Sequence, residues 1–405
     1  MGVGLFLTVW IARYLGPENY GLLNYAISFA GLFSAFAYLG LRGIVVQDVI
    51  HHPQRADVTL GTSFALRLLA AVPIYAAILV AYAALRPADH YGLSVVAIVA
   101  ASVLIQAFEI IDHWFQAHVQ SRYAVWAKSA AFVVVSLLRI VLIGLHAPLQ
   151  AFAWVLLLEG ALGALGSVYF YHRTGNRMAQ WRYDWGRAKE LLAKSWPLVF
   201  EGMMIVIYMT IDQVMLGIMV NDAAVGIYNA ATRVSGVWYF IPAAIVESVT
   251  PALLRSKQSS ESLYYSRLGR LFSLLVLISV SVAAPLALCS TTIIRSLFGS
   301  SYAAAGPILA IHIWTAPFVF LGLAQNPWSI NEGLTVLSFQ RAAIGAAGNV
   351  VLNLLLIPRF GGLGAATATV VSFALAAFFS NAIDKRTRRI FFLQLRAFTL
   401  RDLFG

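Results

Sequence analysis

Residues 11–26 read IARYLGPENYGLLNYA, and this stretch decides the fold. An apolar run ends at Arg13, Gly16-Pro17 interrupts the chain, and a second apolar run begins at Tyr20. Proline lacks an N–H and fixes φ, while glycine frees the backbone just ahead of it. The pair therefore marks a turn between two helices rather than the middle of one. The pattern returns in the second half of the chain. There Leu216-Gly217 leads through Asn221-Asp222 into Gly226-Ile227-Tyr228-Asn229-Ala230-Ala231. Aligned on the glycine, that hexapeptide matches Gly21-Leu22-Leu23-Asn24-Tyr25-Ala26 as Gly-aliphatic-x-Asn-x-Ala. The chain reads as two copies of one membrane half, a long repeat of the kind transporters carry.

Composition points the same way. Of the 405 residues 60% are hydrophobic and 11% charged, against roughly a quarter charged in soluble domains. The apolar runs are continuous and approach the roughly twenty residues a bilayer-spanning helix needs. They do not alternate as barrel strands do. The expected fold is an all-α polytopic membrane protein. The net charge of +11 would suit a nucleic-acid binder, but the basic residues gather between spans and mark topology instead, so no nucleic-acid partner is expected. A single cysteine, Cys289, cannot form an intrachain disulfide or a cysteine metal cluster, and the histidines show no ligand spacing. No metal and no cofactor are expected.

The apolar runs lie at about 1–14, 20–41, 62–85, 92–111, 124–145 and 150–171, then at about 197–219, 226–253, 270–290, 305–328, 336–357 and 362–383. The first is short for a roughly 30 Å core and reads as the remains of a first helix. Residues 42–61 read as a polar connection. The join at 173–195 is basic and tryptophan-bearing, with Trp185, Ala188, Leu191 and Leu192 on one helical face. It reads as an amphipathic helix at the headgroup level. The organisation expected is a six-helix lobe over 1–172 with its first helix apparently truncated, a linker over 173–195, a second lobe over 196–384 and a basic interfacial tail over 385–405. Connections after even-numbered helices, with the tail, hold 21 of the 28 basic residues, and only Arg13, Arg86, Arg295 and Arg359 follow odd-numbered ones. That asymmetry puts the linker and both termini in the cytoplasm. A second repeat pairs residues 138–143 with 352–357, each followed by a short turn and an Ala-rich helix.

These motifs carry a resemblance. ARYLGPENYGLLNYA at 12–26, IDQVMLG at 211–217, VGIYNAATRV at 225–234, SLFGSSYAAAGPIL at 296–309 and GNVVLNLLLIPRFGGLGAATAT at 348–369 resemble the Wzx-type polysaccharide flippases of the multidrug/oligosaccharidyl-lipid/polysaccharide exporter superfamily. The resemblance implies about twelve helices in two six-helix lobes, related by a pseudo-two-fold along the membrane normal and V-shaped around a central cavity. It implies a non-enzyme that moves undecaprenyl-pyrophosphate-linked oligosaccharide repeat units across a bacterial cytoplasmic membrane for O-antigen, capsule or exopolysaccharide. The mechanism implied is alternating access coupled to a proton or sodium gradient. Implied partners are the lipid-linked oligosaccharide, membrane lipids, a polysaccharide polymerase and chain-length proteins. The chain has no Gly-x-x-x-x-Gly-Lys-Ser/Thr phosphate loop for ATP. The alternatives are a multidrug or other cation antiporter, or a peptidoglycan lipid-precursor flippase, of the same superfamily.

A pyrophosphate needs cations in a wet groove, and arginine meets phosphate with a two-pronged fork. Ionisable residues within spans are expensive, and so are functional candidates by default. Arg139, mid-span in the fifth helix, leads, followed by Arg67 and Arg233. The competing reading of Arg139 is a structural ion pair, with Glu159 as partner. The candidates for ion coupling are Glu159, Asp212 and Glu201, because a buried carboxylate can take up a proton. Asp212 also reads as structural, and Glu109 and Asp112 as solvated. Asn24 and Asn229 read as helix–helix hydrogen bonders.

Overall fold

The structure is a computed structural model that describes residues 2–401, apart from the side chains of Val3, Glu201, Gln258 and Thr335. All its regular elements are helical. Numbered along the chain they are α1 (Gly2–Tyr38), α2 (Leu41–His51), α3 (Ala56–Leu85), α4 (His90–Ala117), α5 (Arg122–Gly144), α6 (Leu149–Arg173), α7 (Trp185–Met219), α8 (Asp222–Lys257), α9 (Glu261–Leu288), α10 (Ser290–Phe298), α11 (Ala305–Asn331), α12 (Thr335–Phe360), α13 (Gly362–Ala377) and α14 (Arg388–Ala397). Among the described residues, eleven continuous helical segments are long and apolar enough to cross a membrane. The first of them contains two, because α1 breaks at Gly16 (φ 71°, ψ 170°), a backbone that side chains disfavour. Pro17 then opens the next helix at the position where its missing N–H costs nothing. The expectation of about twelve helices is met, and the chain is a multi-pass membrane protein.

Two compact units emerge: one of residues 1–21 with 211–405, the other of residues 22–210. In the first unit the two copies of the opening motif touch. A Cβ added to Gly21 would stand 1.7 Å from the Asp222 carbonyl oxygen, and one added to Gly226 would stand 2.0 Å from that of Pro17. Each glycine thus meets the residue four places before its counterpart, the reciprocal pattern of a two-fold contact. Only glycine lets the backbones come this close. The polar residues beside it are spent in the same join. Tyr20 donates to Asn229 Oδ1 at 2.9 Å, and Asn229 Nδ2 donates to Gln213 at 3.0 Å. Asn229 is therefore a helix–helix hydrogen bonder, as its place in the repeat suggests.

The second unit corrects two expectations. Residues 42–61 are not an irregular connection. After a left-handed turn at Leu39 (φ 53°) and Gly40 (φ 59°), α2 forms and buries Leu41, Val45 and Val49. A one-turn spacing of aliphatics suffices to seat a helix whose outer face is polar. The join at 173–195 is not a free helix at the headgroups. Its Trp181–Asp184 segment lies along α3: the Arg182 N–H reaches the Asp57 carbonyl at 3.3 Å, and the Asp184 N–H reaches Thr62 Oγ1 at 3.1 Å. Gly61 permits this, since a Cβ there would meet the Arg182 backbone at 2.7 Å. From Trp185 the helix runs without interruption to Met219 through Pro197. Ala188, Leu191 and Ser195 form its buried stripe, while Trp185 and Leu192 face outward. Arg187 ion-pairs with Asp48 of α2, which also accepts from Thr59 at 2.5 Å. The α4 helix is capped by Asp89, whose carboxylate takes the Gly92 N–H at 2.7 Å and the Tyr82 hydroxyl at 2.6 Å.

The tail packs too. α14 buries Ile390, Gln394 and Ala397 against the first unit. Gln394 joins Gln325 and Asn381 in a fully buried amide cluster with mutual bonds of 2.7–3.2 Å.

Candidate functional site

Polar hollows form inside the unit of residues 22–210, where α4 changes pitch. Residues 106–109 take a 3₁₀ turn within α4. Three residues per turn align side chains at i and i+3, so Gln106 and Glu109 face one way, and Asp112 follows. A cavity of about 640 Å³ opens between these residues, the Tyr38–Arg42 bend, α3 and α5, with Arg42, Arg67, Lys128, Glu109, Asp112 and His113 among its walls. A neighbouring cavity of about 320 Å³ shares Glu109, Asp112 and Lys128 and reaches Gln106 and Glu159. Sequence reading took Glu109 and Asp112 as solvated. Their spacing after Gln106 was the available signal, but it needs the 3₁₀ turn to become a shared face.

Arg67 is the cation these walls enclose most fully. Its side chain is 2% exposed. Nη2 lies 3.4 Å from Glu109 Oε2, a long contact, and the guanidinium sits 4.9 Å from the centre of the Tyr38 ring. Nε and Nη1 have no hydrogen-bond partner among the described residues. Burying donors unpaired costs several kcal/mol in an apolar medium, so this guanidinium is held beside the cavity at a cost to the fold. Lys128 is held at 2.6 Å by Asp112, which also accepts from Ser167 at 3.0 Å. Arg42 bonds Gln116 at 3.5 Å.

Arg139 takes the competing role foreseen for it. Its Nη2 pairs with Glu159 Oε2 at 2.6 Å, joining α5 to α6. Glu159 lines the smaller cavity, while Arg139 is not among its walls. Arg67 thus borders the larger cavity and Glu159 the smaller one beside it. Arg233 belongs to the other unit, where it is exposed and its Nε contacts Asn229 Oδ1 at 3.4 Å.

Asp212 is also in that unit, 4% exposed. It accepts from the Tyr228 hydroxyl, and from Thr369 at 2.9 Å. Its Oδ1 has no hydrogen-bond partner, and it has no ion pair, among the described residues. Next to it Tyr228 stands edge-on to His312, whose Nδ1 lies 2.7 Å from Ser235 Oγ. Sequence reading found Asp212 but not Tyr228, Thr369 or His312. Hydroxyls and a histidine in apolar runs carry no signal until the helices meet. The Glu201 side chain lies outside the described residues.

A profile of the family described as polysaccharide biosynthesis protein matches residues 1–257, well over half of the chain. The chain belongs to this family. The resemblance drawn from its motifs is thereby borne out. Among curated proteins, the chain is similar to the "Probable flippase AglR" of Haloferax volcanii, at 26% identity over 178 residues. That match takes in 42% of this chain and 36% of the relative, so it spans about a third of the relative's length. Among solved structures, the lipid II flippase MurJ in an inward closed conformation superposes with a TM-score of 0.75 at 16% identity, covering 98% of this chain and 88% of that one. An inward-facing multidrug resistance MATE family transporter of the MOP superfamily gives 0.72 at 15% identity, covering 98% and 94%. At such identities the likeness is one of fold, and it agrees with the polysaccharide biosynthesis family in placing the chain among polytopic helical proteins.

Proposed function

We propose that this protein is a flippase for glycan biosynthesis, not an enzyme. Its cargo is an oligosaccharide repeat unit on an undecaprenyl pyrophosphate carrier. It moves that cargo across the cytoplasmic membrane by alternating access between two six-helix lobes, with both termini in the cytoplasm. The family and the curated relative named as a probable flippase support this reading. The observation that carries it is Arg67: a guanidinium 2% exposed, two nitrogens unpaired among the described residues, beside a roomy polar cavity. A lipid-linked cargo keeps its tail in the bilayer and needs protein only for its phosphates and sugars. A cation held away from lipid and only partly neutralised answers the first need.

For ion coupling the structure favours Asp212 over Glu159. Glu159 is committed to Arg139 at 2.6 Å, whereas Asp212 is buried with hydroxyl partners and a spare oxygen. A carboxylate so placed gains most from a proton or a small cation. Polysaccharide polymerase and chain-length proteins are the partners that cargo would require.

The test is complementation. In a strain lacking its own glycan flippase the protein should restore surface polysaccharide, and Asp212→Asn should remove the dependence of export on the ion gradient while Glu159→Gln keeps it. Rescue confined to a strain lacking its peptidoglycan-precursor flippase, or drug resistance without glycan, would transfer the protein to one of the alternative activities.

A further inference from the structure

A second kind of site lies at the tail, apart from the cavities of the 22–210 unit. α14 is ten residues long, a rise of about 15 Å, half of a roughly 30 Å hydrocarbon core. It starts shortly after the last apolar segment ends at Ala382, so the chain moors it at the membrane surface. Ile390, Gln394 and Ala397 seat it on the core. Its other face leaves Phe392 and Leu395 exposed between Arg388, Arg389 and Arg396. Bulky apolar groups flanked by arginines suit the headgroup layer, with the side-chain stems and rings toward acyl chains and the guanidiniums toward phosphate.

A cavity of about 420 Å³ opens on that face, walled by Tyr265 and Ser266 of α9 and by Arg389, Phe392, Leu393 and Arg396 of α14. Helical spacing brings Arg389, Phe392 and Arg396 to one side. The two arginines differ. Arg389 is fixed: its Nη1 donates to Glu261 Oε1 at 2.8 Å, and its guanidinium lies 3.4 Å from the centre of the Tyr265 ring. The Arg396 side chain is exposed and has no ion pair among the described residues. No carboxylate stands among the described walls. Two guanidiniums against the Glu261 carboxylate leave one net positive charge.

We propose that this cavity holds the headgroup of an anionic glycerophospholipid of the phosphatidylglycerol type, drawn from the leaflet beside α14. One net positive charge matches one phosphodiester. Arg396 supplies the ion pair and Arg389 an oriented guanidinium. Tyr265 and Ser266 bring hydroxyls for the glycerol oxygens, and Phe392 lies along the acyl chains. A choline headgroup carries its own cation to the arginines and is disfavoured. A lipid so placed bridges α9 and α14 and helps to hold the tail on its unit.

The experiment uses the full chain in a non-ionic detergent, with a fluorescent short-chain phosphatidylglycerol followed by anisotropy. Unlabelled phosphatidylglycerol should displace the probe at least fivefold more effectively than phosphatidylcholine. Arg396→Gln should weaken phosphatidylglycerol at least fivefold, with Arg396→Lys recovering part. Arg388→Gln removes the same charge from the same helix outside the cavity walls, and should change affinity less than twofold. Ser266→Leu, which fills the cavity from α9, should also erase the preference over phosphatidylcholine, and it decides alone if Arg396→Gln yields no folded protein. Equal losses in Arg396→Gln and Arg388→Gln overturn the proposal, since they make the attraction one of bulk charge. Equal displacement by the two lipids overturns it as well. So does displacement by glycerol phosphate at the lipid's own concentration, which would make this a site for soluble phosphate. A dimer that forms without phosphatidylglycerol and dissociates in Phe392→Ser would give the face to a second copy of the chain, and would overturn it too.

Discussion

Replacing Gly226 by alanine should unlock the contact between the two copies of the opening motif. The added methyl carbon would lie 2.0 Å from the Pro17 carbonyl oxygen and 3.0 Å from the Gly21 nitrogen. Both atoms are backbone, so no side chain can swing aside, and the helices must separate by more than an ångström to reach ordinary contact. That displacement also stretches the 2.9 Å bond from Tyr20 to Asn229. Overpacking of this kind costs about 3 kcal/mol, the upper part of its usual range. At roughly 2–4 °C per kcal/mol for a domain of this size, Tm should fall by about 6–12 °C. The assay is thermal unfolding of purified protein in detergent, followed by tryptophan emission. Gly31→Ala is the control: nothing lies within 4 Å of its added carbon, so its Tm should hold or rise slightly on helix propensity. A Gly226→Ala protein as stable as the control would refute the reciprocal contact, and with it the reading of the two motifs as paired copies.

Other substitutions probe separate features. Arg139→Glu would set two carboxylates where a 2.6 Å ion pair stands; the pair is only partly buried, so the expected loss is about 2 kcal/mol. Adding Glu159→Arg should restore folded yield, and a double variant no better than the single one would show that the two side chains do not meet. At Asp89, burial alone would raise the carboxyl, but the Tyr82 hydroxyl, the Gly92 N–H and Arg86 outweigh it and hold the group below the usual carboxylate range. A depressed folded value means the stabilisation is complete above the ordinary value of about 3.9 and fades as pH falls through the folded one. Asp89→Ala should cost about 1 kcal/mol at neutral pH. Its deficit in Tm against the parent should close in acid, and a gap that persists there would remove Asp89 from the pH dependence.

Much of the architecture was legible along the chain because its causes are local. Gly16-Pro17 announces a helix break wherever it sits, and the structure breaks the helix at Gly16. The placement of α5, α6, α12 and α13 follows from apolar runs ended by short turns. What escaped was tertiary. The 42–61 stretch looked polar by composition, yet α2 forms there because Leu41, Val45 and Val49 find a core. Glu109 and Asp112 looked solvated because they stand near a span's end. A 3₁₀ turn and the approach of α3 and α5 make them cavity walls. Arg139 and Arg67 looked alike as intramembrane arginines. Their difference, a short ion pair against a guanidinium with two donors unpaired among the described residues, depends on which acid each one meets.

By itself the sequence determined that this is a polytopic helical membrane protein, where most of its membrane-spanning runs lie, and that the opening motif recurs in the second half. Transfer of a segment into lipid sums contributions residue by residue along one stretch of chain, so no knowledge of neighbours is required. Only the tertiary structure decided that Gly21 and Gly226 are a mutual contact, that Asp212 is buried among hydroxyls, and that Arg67 borders a cavity. Those outcomes turn on pairings between residues far apart in the chain. In hydrocarbon a polar group's state is set by whichever partner folding brings within hydrogen-bond reach.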